Sequence, residues 1–184
     1  MGDEEVEILA IKPNLTIEEA IERAGVDQET DPKSIRVIGY PKFLFTYETS
    51  LSRVLMGDRK TELTVTVDGI SGGRLRSDVY PDLEERTLPK TALLNPRFNR
   101  DEAAEKARSV IRRYISFHFP SSVLVSSVPD MKVVEEDFVF GLYWIVPTDT
   151  DSEPITASIL DTISGEVIEK DIHLEDFTPE RFAT

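Results

Sequence analysis

The chain of 184 residues contains no cysteine. This absence excludes a disulfide framework, a thiol nucleophile and a cysteine zinc site. Long apolar runs are also missing. The first residues, MGDEEVEILAIKPN, are acidic, and their apolar stretch is shorter than a signal peptide or a membrane span of about 20 residues requires. We therefore expect a cytoplasmic protein without membrane insertion.

Basic residues are few compared with acidic ones. The 35 acidic and 21 basic residues give a formal net charge of −14. A charge of this sign repels phosphate backbones, which disfavours nucleic-acid binding. Arginine outnumbers lysine, and an acidic, lysine-poor surface is typical of many proteins from salt-loving organisms. Halophilic adaptation is one interpretation, and an ordinary acidic surface is the other.

Sequence patterns of catalysis and metal binding are scarce as well. The chain shows no Ser-His-Asp order, no H-E-x-x-H spacing and no glycine-rich phosphate loop. The segment DTDSE resembles a calcium loop, but Pro154 and Leu160 replace its required glycine and glutamate. Of the two histidines, His118 is predicted to be partly buried in the core, with a role in proton transfer as the alternative, and His173 to lie on the surface. We predict no catalytic residue, no metal and no cofactor.

Two segments of the chain are nearly alike: KPNLTIEEAIERAG, which begins at Lys12, and NPRFNRDEAAEKAR, which begins at Asn95. Thr16 and Asn99 each precede a glutamate by three residues, which is the spacing of a capping box. Apolar residues then recur with helical spacing. The pattern predicts two helices, the first ending at Gly25. The alternative is that any two capped amphipathic helices look alike.

The similarity resumes after each helix. TELTVTVDGISGGRLRSD, from Thr61, matches ITASILDTISGEVIEKD, from Ile155. Alternating apolar residues predict strands. Asp68 and Asp161, each with a glycine four residues later, predict a tight turn whose carboxylate accepts backbone N–H groups. We expect strand, loop, strand, tight turn and strand in each copy; the alternative is a catalytic or metal-binding role for the two aspartates.

This order of a helix, antiparallel strands and a D-x-x-S-G turn resembles the PepSY-like domain. The residues that carry the resemblance are Glu18, Glu19, Ala20, Ala24, Asp68 and Gly72, and in the second copy Asp101, Glu102, Ala103, Ala107, Asp161, Gly165 and Glu166. The resemblance implies a helix laid across an antiparallel sheet, in PepSY- or cystatin-like modules that bind, inhibit or regulate rather than catalyse. Family members are commonly secreted or membrane-attached, whereas this sequence shows no export signal.

We therefore expect an α+β protein of two tandem helix-on-antiparallel-sheet units, spanning residues 1–80 and 95–184. Residues 81–94, which contain two of the prolines, are predicted to be an extended connector. The function we infer is that of a non-catalytic binding or regulatory protein that acts through protein–protein contacts, not an enzyme. The alternative is a small-ligand-binding protein or an enzyme that uses the concave sheet face.

Five residues are candidates for contact with an unknown protein partner. Alternation in DFVFGLYWIV directs aromatic side chains to the core and Trp144, the only tryptophan, to the other side, where it is either a contact surface or covered. Leu124 lies in SSVLVSSV, an uncharged stretch predicted to pair between the units or across a homodimer. Arg108, Arg112 and Arg113 form a basic cluster that pairs with nearby acids or binds an acidic partner.

Overall fold

The computed structural model describes residues 4–26, 31–53, 57–118, 130–149 and 153–174. These residues form an α+β fold, as the sequence predicts. Its elements in chain order are β1 (Glu5–Ile11), α1 (Ile17–Ala24), β2 (Arg36–Arg53), β3 (Gly57–Asp68), β4 (Arg74–Ser77), β5 (Leu83–Pro89), α2 (Arg100–His118), β6 (Asp130–Asp149), β7 (Thr156–Asp161) and β8 (Val167–His173). Within these ranges, neither α-helix has the length and apolar character that crossing a membrane requires.

The strands form one mixed sheet. Hydrogen bonding places them in the order β4-β3-β2-β6-β1-β5, and β7 pairs with β6 and β8 with β7. Ala10 of β1 and Phe140 of β6 pair in parallel. The pairs β1–β5, β2–β3, β3–β4, β6–β7 and β7–β8 are antiparallel. The two predicted series of strand, loop, strand, turn and strand are therefore present as β2–β4 and β6–β8.

The region predicted as a connector contains a strand of the sheet. Residues Leu83–Pro89 form β5, which pairs with the whole of β1, from Glu5 opposite Pro89 to Ile11 opposite Leu83. The sequence predicts an extended connector here, and the structure shows that part of this segment pairs as a strand. Proline can end a strand at the edge of a sheet, so the prolines around this segment do not exclude strand pairing.

Contacts divide the chain into two compact units, and neither is continuous in sequence. The terminal unit comprises Met1–Pro41, Asp82–Asn95 and Phe140–Thr184, and the internal unit comprises Lys42–Pro81 and Pro96–Val139. Consequently α1 belongs with the strands that follow the second helix, and α2 belongs with the strands that follow the first. The compact units and the repeats predicted at residues 1–80 and 95–184 are different divisions of the chain.

The core of the internal unit lies between α2 and the strands β2 and β3. The residues that form it are all buried: Phe43, Phe45, Tyr47, Leu63, Val65, Val67, Ala103, Ala104, Ala107, Ile111 and Ile115. The three alanines allow the helix to approach the sheet closely. The hydroxyl group of Tyr47 donates a hydrogen bond to the carbonyl oxygen of Ala104 at 3.2 Å, and burial raises the pKa of Tyr47. Phe43 and Phe45, which alternate along β2, both face this core.

The terminal unit has a similar but smaller core beneath α1. Ala20 and Ile21 of the helix pack with Leu15 against the side chains of β6 and β7, which are Trp144, Val146 and Leu160. A second cluster joins Ile8, Ala10, Phe140 and Leu142. In the internal unit, Phe138, predicted to face the core, is 43% exposed, and its ring centroid lies 5.0 Å from that of Phe43.

Both helices begin as the sequence predicts. The N–H group of Glu19 donates to Oγ1 of Thr16 at 3.2 Å, and the N–H group of Thr16 donates to Oε2 of Glu19 at 2.8 Å. Asn99 and Glu102 form the same reciprocal pair, with both distances 2.9 Å. Gly25 ends α1 in the left-handed conformation, with φ of 75°.

Candidate functional site

Asp68 closes the turn between β3 and β4. Its Oδ1 accepts hydrogen bonds from the N–H groups of Ile70 and Ser71, at 2.9 Å and 2.7 Å. The N–H group of Gly72 donates to the Asp68 carbonyl oxygen at 3.0 Å, and Gly72 has φ of 70°. The turn therefore uses the carboxylate for backbone bonding.

Asp161 closes the turn between β7 and β8 in the same way. Its Oδ1 accepts from the N–H groups of Ile163 and Ser164, at 2.7 Å and 3.2 Å. Gly165 donates its N–H to the Asp161 carbonyl oxygen at 2.9 Å and has φ of 69°. Both aspartates thus have the turn-forming geometry that the sequence predicts.

In each unit the turn glycine lies against the start of the helix that packs there. A Cβ atom on Gly72 would lie 3.0 Å from Cζ of Phe98 and 3.1 Å from Nζ of Lys106. A Cβ atom on Gly165 would meet Cδ1 of Leu15 at 2.8 Å, and the guanidinium of Arg23 still closer. Leu15 and Phe98 each immediately precede an N-cap, so both turns contact the corresponding part of their helix.

The internal unit has an open groove of about 560 Å³ between β4 and the C-terminal half of α2. We call it the basic groove. Its lining residues are Gly73, Arg74, Arg76, Ser109, Val110, Arg113, Tyr114, Phe117 and His118. The guanidinium of Arg74 donates to Oγ of Ser109 at 3.0 Å. That of Arg76 lies 4.4 Å from the centroid of the Tyr114 ring and also pairs with Asp78.

Exposed aromatic residues form one end of the basic groove. Phe117 is 84% exposed. His118 is also exposed, so its predicted burial in the core is wrong. Its ring lies 4.1 Å from the Tyr114 ring, centroid to centroid, and its Nδ1 donates to the Tyr114 carbonyl oxygen at 3.0 Å. The helical spacing predicts which face His118 is on, but not where the strands beneath the helix stop. His173 is exposed, as predicted.

The three predicted arginines have different surroundings. Arg108 and Arg112 lie 3.6 Å and 3.5 Å from carboxylate oxygens of Glu105. Arg113 instead lines the basic groove, and within the described part of the chain it has no ion pair at 4.0 Å or less. Arg74 and Arg76 could not be predicted as neighbours of Arg113, because they lie on a strand far from the helix in sequence.

Trp144 is 4% exposed, which agrees with the alternative of a covered side chain. It lies beside a second cavity of about 300 Å³ in the terminal unit, which Lys12, Thr16, Glu84 and Arg86 also line. The guanidinium of Arg86 pairs with the carboxylate of Glu84 at 2.5 Å. Leu124 and the rest of SSVLVSSV lie outside the described residues.

Over the described ranges, no three histidine or acidic side chains come together as ligands for a metal ion. The chain matches no protein-family model, no curated protein and no solved structure.

Proposed function

We propose that this chain is a non-catalytic binding protein that acts through protein–protein contacts, and that the basic groove is its contact site. The observation that carries this proposal is the collection of Arg74, Arg76 and Arg113 in one groove of a chain with a net charge of −14. Phe117 adds a large exposed apolar side chain. Arginine and aromatic residues are enriched in the centres of protein interfaces.

The partner that fits the basic groove is an acidic one. Arginine pairs with carboxylates in bidentate geometry, and partial enclosure strengthens such a pair relative to open water. The stacking of Arg76 on Tyr114 and the bond from Arg74 to Ser109 hold two guanidinium groups in place before a partner arrives. Such preorganisation lowers the entropic cost of binding.

A matched pair of variants tests this proposal. A random peptide library is displayed and selected against the protein, and enriched peptides are measured against Arg113→Glu and Arg112→Glu. Of these two arginines only Arg113 lines the basic groove. Arg113→Glu is therefore expected to weaken binding about tenfold or more, which corresponds to about 1.4 kcal/mol or more, and Arg112→Glu is expected to weaken it less than about twofold. Equal effects of both variants, or no enrichment of acidic peptides, would contradict the proposal.

A resident small ligand is the second candidate, and the cavity beside Trp144 favours it. Trp144 is the only tryptophan, so its fluorescence reports on this cavity alone. Titration with small carboxylic acids would show a saturable change in emission if Lys12 and Trp144 bind a ligand. An unchanged spectrum across these compounds would contradict this candidate and leave the protein-binding proposal intact.

The predicted relationship between the two halves of the chain also stays a proposal. We infer that the two helices and the two turns derive from a duplicated, PepSY-like unit. The matched hydrogen bonds of Asp68 and Asp161 and of the two capping boxes support this inference. A halophilic setting is likewise proposed from the acidic composition, and the cytoplasmic location stays a proposal.

A further inference from the structure

One wall of the basic groove is an edge strand. Within the described ranges, β4 pairs only with β3, from Val67 opposite Arg74 to Thr64 opposite Ser77. An edge strand presents backbone N–H and C=O groups on its outer side, to which another extended chain can bind. The basic groove therefore offers backbone groups in addition to its side chains.

The register identifies which backbone groups face outward. The N–H group of Asp68 donates to the carbonyl oxygen of Gly73 at 2.8 Å. In an antiparallel pair, hydrogen-bonded and non-hydrogen-bonded positions alternate. The backbone groups of Arg74 and Arg76 therefore point away from β3, while those of Leu75 point toward it. Each of the two arginines offers one N–H donor and one C=O acceptor at the edge.

The opposite wall of the basic groove suits alternate side chains of an extended peptide. In a strand every second side chain points the same way, so such a peptide would direct residues i, i+2 and i+4 toward α2. Arg113 and the two arginines of β4 favour carboxylates there, and Phe117 favours an aromatic or aliphatic residue at the end where His118 lies.

We propose that the basic groove binds an extended acidic peptide. The peptide adds to β4 as a further strand and directs every second side chain, acidic or apolar, toward α2. This inference rests on the proposed function and specifies its ligand. The charge of the site favours an acidic peptide over a neutral one: Arg76 already pairs with Asp78, whereas a neutral segment would bring no carboxylate to Arg74 and Arg113.

The test uses a fluorescent peptide, Ser-Glu-Thr-Glu-Thr-Phe-Ser, at about 0.15 M salt, where charges more than about 8 Å apart are largely screened. Two versions carry N-methyl groups, one on both glutamates and the phenylalanine and the other on both threonines. Because alternate N–H groups of a strand point to opposite edges, one version should lose at least tenfold in affinity while the other binds like the parent peptide.

Hydrogen exchange of the full chain gives an independent readout. Peptide binding should slow exchange of the Arg74 and Arg76 amides, whereas the Leu75 amide, already bonded to β3, should change little. If Arg113→Glu weakens binding but both N-methylated peptides bind like the parent and the β4 amides are not protected, strand addition is overturned and the proposed function stands. If Arg113→Glu has no effect, the proposed function itself fails.

Two further measurements can reveal a different occupant of the outer edge of β4. Replacement of residues 121–128 by a glycine-serine linker should leave peptide affinity unchanged, and a tenfold rise would assign the edge to this segment and overturn the proposal. Gel filtration should show no dimer that Arg113→Glu dissociates, and such a dimer would assign the edge to a second copy.

Discussion

The terminal and internal units use the same turn and the same helix start, but they differ in what surrounds them. Each turn has an aspartate that bonds two backbone N–H groups and a glycine with φ near 70°. However, α1 has 8 residues and α2 has 19. The additional turns of α2 carry Arg113, Tyr114, Phe117 and His118 of the basic groove. The shared features account for folding, and the longer helix supplies one wall of the groove proposed as the contact site.

The largest effect is expected when the chain is cut between the predicted repeats. A fragment of residues 1–94 lacks α2, which covers Phe43, Phe45 and Tyr47, and a fragment of residues 95–184 lacks α1. We expect neither fragment to show a cooperative thermal transition by circular dichroism, and an equimolar mixture to recover one. If either fragment folds alone, the folding units are the sequential halves of the chain and not the terminal and internal units.

Removal of the turn carboxylates should produce the next largest effect. Asp68→Ala and Asp161→Ala each remove two bonds from backbone N–H groups to a charged acceptor, so each should lower the free energy of unfolding by about 2–3 kcal/mol. Urea denaturation measures both. Ser71→Ala and Ser164→Ala, which remove one neutral bond each, should cost about 1 kcal/mol. Unequal losses for the two aspartates would show that the turns are not equivalent.

Substitutions at three glycines distinguish the cost of backbone strain from the cost of a packing clash. Gly25, Gly72 and Gly165 all have φ between 69° and 75°, but a Cβ atom on Gly25 would have no neighbour within 4 Å. Gly25→Ala should therefore cost about 1 kcal/mol, from the left-handed conformation alone. Gly72→Ala should cost more, and Gly165→Ala the most because it meets Leu15 at 2.8 Å. Equal losses at all three positions would contradict the helix contacts described for the turns.

Salt should raise the thermal stability of the whole chain but lower the affinity of the basic groove for acidic peptides. A net charge of −14 repels itself, and screening relieves this repulsion. From low to molar potassium chloride we expect the thermal midpoint to rise by a few degrees, about 1 kcal/mol for a chain of this size, while acidic peptides bind more weakly. A midpoint that does not change with salt would contradict halophilic adaptation.

The smallest effect is expected at Tyr80 of the internal unit. Its hydroxyl group donates to the carboxylate of Asp137 at 2.5 Å. Burial, and then the hydrogen bond and charge of Asp137, raise the pKa of Tyr80 above its ordinary value of 10.0. The stability that Tyr80 contributes is therefore fully present below pH 10. It is lost as the pH rises toward the folded-state pKa, because Tyr80 ionises first in the unfolded state.

Tyr80→Phe removes this titration. The stability difference between the parent and the variant should be constant from pH 7 to pH 10 and should shrink above it, as measured by urea denaturation at each pH. A difference that grows above pH 10 would contradict the sign of the shift.

Local features of the fold could be predicted from the sequence, and long-range ones could not. The capping boxes at Thr16 and Asn99 and the turns at Asp68 and Asp161 depend on residues within four positions of each other. The pairing of β5 with β1 is not encoded by such spacing. Nor is the packing of each helix against the strands that follow the other helix, because any amphipathic helix fits either apolar sheet face.

In the candidate site, too, local features could be predicted from the sequence and long-range ones could not. Helical spacing predicts that Arg113 is on the outer part of α2, and the structure adds that Arg108 and Arg112 are paired with Glu105. The contribution of Arg74 and Arg76 could not be predicted, since β4 has only four residues and a weak alternating pattern.

The discontinuous units have a consequence for synthesis on the ribosome. The last segment of the internal unit ends at Val139, whereas the terminal unit, which contains β1, also needs the residues from Phe140 onward. The terminal unit, whose strand β1 is synthesised before any part of the internal unit, is therefore completed last. At about 5–20 residues per second, β1 and α1 precede the end of β6 by a time on the order of ten seconds. During that interval we expect the carboxylates of Glu4, Glu5 and Glu7 to oppose association between nascent chains by mutual repulsion.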